Sequence, residues 1–165
     1  MQPDMLVKLY NLKDDGYFFG AMEKKGIIIR KPIGPEKHLV VDWVEKKFND
    51  AWASETDMAF SNRPATCFVA IRKKSLVGFA CYDATALGFF GPTGVEKTLR
   101  GRGIGTALLR ACLLDMKRKG YGYAIIGSPA TPEVASLYRR AAGAVEIPGS
   151  RPGLWKTWLK RKNVR

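Results

Sequence analysis

The sequence predicts an α/β fold: one domain built on a mixed, largely antiparallel sheet flanked by helices on both faces. Three observations point there. Apolar segments of strand length, joined by short turns, run from Ala65 to Val95, and helix-period apolar patterns lie before and after them. A glycine-dense turn, Gly101-Arg102-Gly103-Ile104-Gly105, then leads into an apolar helix that ends just before a further strand, the pattern of a crossover to a parallel neighbour. A chain of 165 residues fits a single domain over 1–165, long enough to bury about two-thirds of its unfolded surface without disulfides or a structural metal.

Taken in order, "MLVKLYNL" reads as a strand with Leu6, Lys8 and Tyr10 on one face and Val7 and Leu9 on the other. A glycine-punctuated stretch holding "GIIIR" follows. Gly34 and Pro35 look like a cap and first turn, with Glu36 placed well against the helix dipole. Val40, Trp43, Val44 and Phe48 then keep helical spacing, and a weaker helical stretch continues through Trp52 toward Phe60. The segments "ATCFVAI", "LVGFACYD" and "ALGFFGPTGV" form an antiparallel meander; Pro92 in the third requires that strand to be distorted near its end. A helix from about Gly105 to Lys119 stops at Gly120. "YAIIGS" is a short buried strand. Thr131, Pro132 and Glu133 start a helix whose apolar face is Val134, Leu137, Tyr138 and Ala141 and which Gly143 closes. "AVEIPG" and "LWKTWL", around the loop "SRPG", read as a final hairpin.

The composition narrows the function classes. No apolar run reaches membrane-spanning length and no secretory signal opens the chain, so a cytoplasmic protein is expected. Cys67, Cys81 and Cys112 are widely separated and His38 is the one histidine, so no metal is expected; buried free thiols are the simple reading. The net charge of +13 biases encounters toward anions. Its clusters, such as Arg72-Lys73-Lys74 and Lys160-Arg161-Lys162, fall mostly at turns and helix ends, where solvated charge is ordinary.

In "LRGRGIGTALL", Leu99 to Leu109, glycine is placed where helix formation is about to begin. Such a turn presents free backbone N–H groups at the positive end of a helix, which suits a pyrophosphate; a plain glycine-rich turn is the alternative. A P-loop would need a lysine before Thr106, and the dinucleotide fingerprint lacks its third glycine or alanine.

"VEKTLRGRGIGTALL", Val95 to Leu109, resembles the acetyl-CoA-binding signature of the GCN5-related N-acetyltransferase (GNAT) family. The motif's arginine and its two spaced glycines fall on Arg100, Gly103 and Gly105, and Val95 matches the valine that ends the preceding strand. Segment order agrees over roughly residues 65–147. Lys97 stands where the family often has proline, Leu99 where it has an aromatic, and Pro132 where it has an asparagine six before its tyrosine. Tyr138 lies five residues before Gly143, where four is commoner.

The resemblance implies the acyl-CoA N-acyltransferase fold and acetyl-CoA as co-substrate, held by Val95, Arg100, Gly101, Arg102, Gly103, Ile104, Gly105 and Thr106. It implies that two parallel strands splay apart to admit the pantetheine arm. A neutral amine then attacks the thioester directly, with Tyr138 protonating the leaving thiolate and Glu96 or Asp83 as the carboxylate base. As a plainer alternative Asp83 caps its turn, and Glu96 points away from Val95 if the strand continues.

The resemblance implies an amine acceptor, a small molecule slightly favoured over a peptide amine, and a homodimer is compatible with the family. A CoA-binding sensor that has lost catalysis is a second reading. A nucleic-acid partner would call for aromatics interleaved on a basic face, found here only at Trp155 and Trp158 beside Lys156 and Lys160. Trp43, Trp52 and Trp155 either fill the core or line an acceptor pocket, core packing being the simpler role.

Overall fold

The computed structural model describes residues 2–14 and 16–159; the basic cluster Lys160-Arg161-Lys162 lies outside them. The elements run β1 (Met5–Lys8), α1 (Tyr17–Lys24), β2 (Ile27–Arg30), α2 (Lys37–Lys47), α3 (Asp50–Ser61), β3 (Cys67–Arg72), β4 (Ser75–Tyr82), β5 (Phe89–Val95), α4 (Ile104–Arg118), β6 (Tyr123–Ile126), α5 (Pro132–Ala142) and β7 (Val145–Glu146). They build a seven-stranded sheet in the order β2-β3-β4-β5-β6-β1-β7. Every pairing is antiparallel except β5 with β6.

Two cores sandwich the sheet. On one face Met5, Val7, Ala80 and Tyr82 pack against α4, with Met22 of α1 and Ala135 and Tyr138 of α5. On the other, Val69, Phe79 and Cys81 meet Val40 and Val44 of α2 and Ala53, Ala59 and Phe60 of α3. Strand alternation explains the division for Phe79 to Tyr82, but Val77 and Gly78 both face α4. A bulge opposite Ala70 and Ile71 inserts one residue there and reverses the alternation.

The helix starts carry the expected capping. Asn49 accepts the Trp52 amide at 2.8 Å and so restarts a helix where α2 has ended. Thr131 accepts the Val134 amide at 3.3 Å, and Gly143 closes α5 at φ +64°.

Three expectations need correction. β1 ends at Lys8, and Leu9–Asn11 form a 3-10 turn whose Leu12 amide donates back to Leu9 O at 3.0 Å. Tyr17–Lys24 are helical, an element hidden by its flanking and internal glycines. No hairpin closes the described chain: Val145–Glu146 pair with β1, and Gly153–Thr157 form a 3-10 helix instead of a strand. "LWKTWL" has strand alternation, yet Gly153 is left-handed at φ +56°, which turns the chain before the alternation can be used. Trp155 then rests near Gly127, where an added Cβ would lie 3.7 Å from its Cζ2.

Candidate active site

The turn after β5 is shaped by backbone handedness. Gly101 and Gly103 sit at φ +76° and +85°, conformations that L side chains rarely adopt, and Gly103 is the N-cap of α4. The first amide of α4 to find an intrahelical partner is that of Ala107, bonded to Gly103 O at 3.0 Å. The amides of Ile104, Gly105 and Thr106 therefore stand at the open positive end of a 15-residue helix that no side chain caps. Ile104 turns its side chain into the core, so its place in the site is made by its main chain. A Cβ on Gly103 would also come within 3.3 Å of Met22 Cε, whereas around Gly101 there is open space.

The two arginines of the turn differ. Arg100 folds back, its Nε donating to Val95 O at 3.2 Å, and stiffens the exit from β5. Arg102 lines a recess of about 400 Å³ with Lys25, Arg72, Ile27 and Leu99, and its carbonyl accepts from Lys25 Nζ at 2.8 Å. Three cations thus surround one small recess beside the glycine turn. Arg72, from a cluster read as surface charge, is among them. Arg139 pairs with Glu146 of β7, and Arg140 with Ser136 of its own helix, so both are engaged in structural contacts.

β5 and β6 pair only at Phe89 with Ile125 and Phe90 with Ile126, after which they separate. From Gly91 to Val95 one edge of β5 has no strand beside it. Glu96 N–H donates to Val77 O at 2.8 Å, so strand alternation turns the Val95 amide to that open edge. Tyr138 of α5 lies against the point of separation, its ring 6.1 Å from that of Phe90 at 79°. Burial raises its phenol to about 12, and no described residue hydrogen-bonds its hydroxyl.

Neither carboxylate singled out in the sequence is free. Asp83 Oδ1 accepts the Gly88 amide at 2.7 Å and Oδ2 accepts the Tyr121 hydroxyl at 2.7 Å, with Asp83 itself at φ +52°. It braces the β4–β5 turn, at the opposite end of β5 from the glycine turn. Glu96 pairs with Lys47 at 2.8 Å, which holds its carboxyl below the ordinary range and weakens it as a base.

The residue that sequence reading missed is Glu55. It lies in α3, accepts the Thr85 hydroxyl at 2.5 Å, and is pushed above the ordinary carboxyl value by burial. Glu55 belongs to the wall of a second, larger cavity of about 1290 Å³ formed by the start of α3, the β4–β5 turn, the β6–α5 loop and the tail. Trp52 and Trp155 line it too, while Trp43 packs against Phe48 and Phe79. Nothing in "DAWASETDMAF" distinguishes Glu55 from its acidic neighbours; only docking against Thr85 does.

A strand, a glycine turn and an uncapped helix, set beside two diverging parallel strands, define an acyl-CoA N-acyltransferase fold. The chain belongs to the Acetyltransferase (GNAT) family, whose sequence model matches residues 36–144. Among solved structures it is similar to the GCN5-related glucosamine N-acetyltransferase region of a fungal multi-domain GH3 β-N-acetylglucosaminidase, at 15% identity and a TM-score of 0.68 over 88% of this chain and 19% of that one. It is similar also to a GCN5-related N-acetyltransferase from Sphaerobacter thermophilus, at 24% identity and a TM-score of 0.64 over 88% of this chain and 48% of that one. A third is AAC(6')-Iy in complex with the bisubstrate analogue CoA-S-monomethyl-acetylneamine, at 16% identity and 0.57 over 82% and 97%. At these identities the likeness is one of fold, and the chain spans less than half the length of the first two. No curated protein matches it at the sequence level. Among the described residues no helix is long and apolar enough to cross a membrane.

Proposed function

We propose that the protein binds acetyl-CoA on the turn from Arg100 to Thr106 and transfers the acetyl group to a primary amine. The observation that carries this reading is the set of unpaired amides at the start of α4, presented by left-handed Gly101 and Gly103 next to the open edge of β5. The residues fit the diphosphate: the cradle is made of main-chain donors, and Lys25, Arg72 and Arg102 add positive charge beside it. The open edge from Gly91 to Val95 would pair with the pantetheine amides as a missing strand would.

Bound acetyl-CoA supplies a thioester carbon open to attack. The Val95 amide faces the edge where oxyanion charge would develop, a kind of contact worth about 2.7–4 kcal/mol per donor. The amine must arrive deprotonated. As the C–N bond forms and the C–S bond breaks, the electron pair leaves on sulfur and Tyr138 gives it a proton. The surplus proton on nitrogen passes to solvent, from which Tyr138 is reprotonated. The carboxylate base is assigned to neither Asp83 nor Glu96, since each is already committed to a structural partner.

The direct test is calorimetric titration with acetyl-CoA, alongside release of free CoA thiol in the presence of amines. The wild-type chain is expected to bind. Gly103→Ala should bind at least tenfold more weakly, because a left-handed non-glycine residue costs roughly 1–2 kcal/mol and the strain moves the cradle. Undiminished binding by a correctly folded Gly103→Ala would place the coenzyme elsewhere.

A further inference from the structure

The 1290 Å³ cavity differs from the rest of the surface in charge. The chain carries a formal net charge of +13, yet among the described residues lining this cavity the charged ones are Asp50 and Glu55. The remainder is the indoles of Trp52, Trp155 and Trp158 with small apolar side chains, leucines and uncharged polar groups. Trp155 and Trp158 meet edge to face at 5.5 Å and 64°. Carboxylates select a cation, while indole faces accept both a flat ring and an ammonium group.

Aromatic contacts link the cavity to both arms of the strand separation. Trp52 stacks on Phe48 at 5.2 Å between ring centroids, and Phe48 lies over Gly94, where an added Cβ would meet its ring at 2.4 Å. Gly94 directly precedes Val95. On the other arm Trp155 approaches Gly127, which follows Ile126 at the point where β6 leaves β5. The cavity therefore reaches the β6 arm directly, through Trp155 and Ser128, and the β5 arm through the Trp52–Phe48 pair.

We infer that this cavity is the acceptor site and that it selects a small primary amine carried on an aromatic body with no carboxylate of its own, an arylalkylamine. The inference rests on the reading that acetyl-CoA is bound at the glycine turn. The tryptophans hold the ring, and Glu55, whose Oε1 accepts from Thr85, takes the ammonium proton on Oε2, R–NH3+ plus carboxylate giving R–NH2 plus carboxylic acid, before the nitrogen attacks. Burial of Glu55, and the proton affinity it confers, suit it to that exchange better than a solvated carboxylate. An acceptor bearing its own carboxylate or phosphate would face the Glu55 carboxylate and be repelled.

The experiment compares matched acceptors with the full chain and acetyl-CoA: phenethylamine against phenylalanine, tryptamine against tryptophan, butylamine, and a lysine-containing peptide, each followed by CoA thiol release. Each aromatic amine is expected to exceed its amino acid, and butylamine, at least tenfold in kcat/KM. Trp155→Leu should raise KM for phenethylamine at least fivefold with a smaller change in kcat. Glu55→Gln should lower kcat/KM at least tenfold while the acetyl-CoA Kd stays within twofold. If Trp155→Leu fails to fold, Trp158→Leu at the more exposed indole takes its place. Equal use of tryptophan and tryptamine, the peptide as the preferred acceptor, or wild-type rates from both variants would overturn the inference. Failure of acetyl-CoA to bind would instead overturn the underlying reading; phenethylamine titrated into the free protein then still tests the cavity, with no heat of binding counting against it.

Discussion

Tyr138 carries a phenol raised to about 12 by burial alone, so it keeps its proton across the working range of any acetyl transfer. Tyr138→Phe removes that proton with little change in shape. It should lower kcat by about 10²–10⁴-fold, the usual contribution of a positioned acid, and leave acetyl-CoA affinity unchanged by calorimetry. Because the shift is upward, any alkaline loss of wild-type activity below pH 10 should persist in Tyr138→Phe, having another source. Asp83 gives the opposite outcome. Asn in its place retains one acceptor but loses charge from two hydrogen bonds, so Asp83→Asn should cost about 1–3 kcal/mol in denaturant unfolding and leave the shape of the pH–rate profile intact. At this scale the left-handed glycine turn, the place of Tyr138 on the buried face of α5 and the turn-capping alternative for Asp83 were readable from residue type and spacing. Glu55 was not, because what marks it is burial beside Thr85, thirty residues away along the chain.

Between elements, the entry to α2 is tied down by a forked pair. Arg30 at the end of β2 donates to both oxygens of Glu36, at 2.8 and 2.6 Å, and Glu36 also accepts the Ile33 amide at 2.8 Å. These contacts, with the Arg30 guanidinium foremost, lower the Glu36 carboxyl from 4.5 to about 2. A depressed carboxyl stabilises the fold above its unfolded value, and that contribution is lost as pH falls through the folded value. Glu36→Gln should therefore cost about 0.5–1 kcal/mol at pH 7, both side chains being partly solvated, and the difference from wild type should shrink between about pH 4.5 and 2 in thermal melts. Elements with a clean period and a cap were legible: the meander, α4 and α5 fall where spacing put them. Two elements were not. α1 lacks a polar N-cap, and the tail alternates like a strand but is turned at left-handed Gly153 into a 3-10 helix, so local pattern and backbone conformation disagree.

For the whole molecule, the excess of positive charge and the three cations around the recess at Arg102 act together on an anionic coenzyme. Raising the salt from about 20 to 200 mM shortens the screening distance to within the span of this field, so acetyl-CoA association should slow and its affinity fall several-fold in stopped-flow and calorimetric titrations. Binding that ignores salt would assign the coenzyme's hold to neutral main-chain donors alone. The sequence by itself determined the α/β class, the order of most elements and the glycine turn, because periodicity, caps and backbone handedness are properties of neighbouring residues. Tertiary structure decided which carboxylates were occupied, which tryptophans lined a cavity and how far β5 and β6 stay paired. Those depend on groups far apart along the chain, whose meeting is set by how two helical layers close over one sheet.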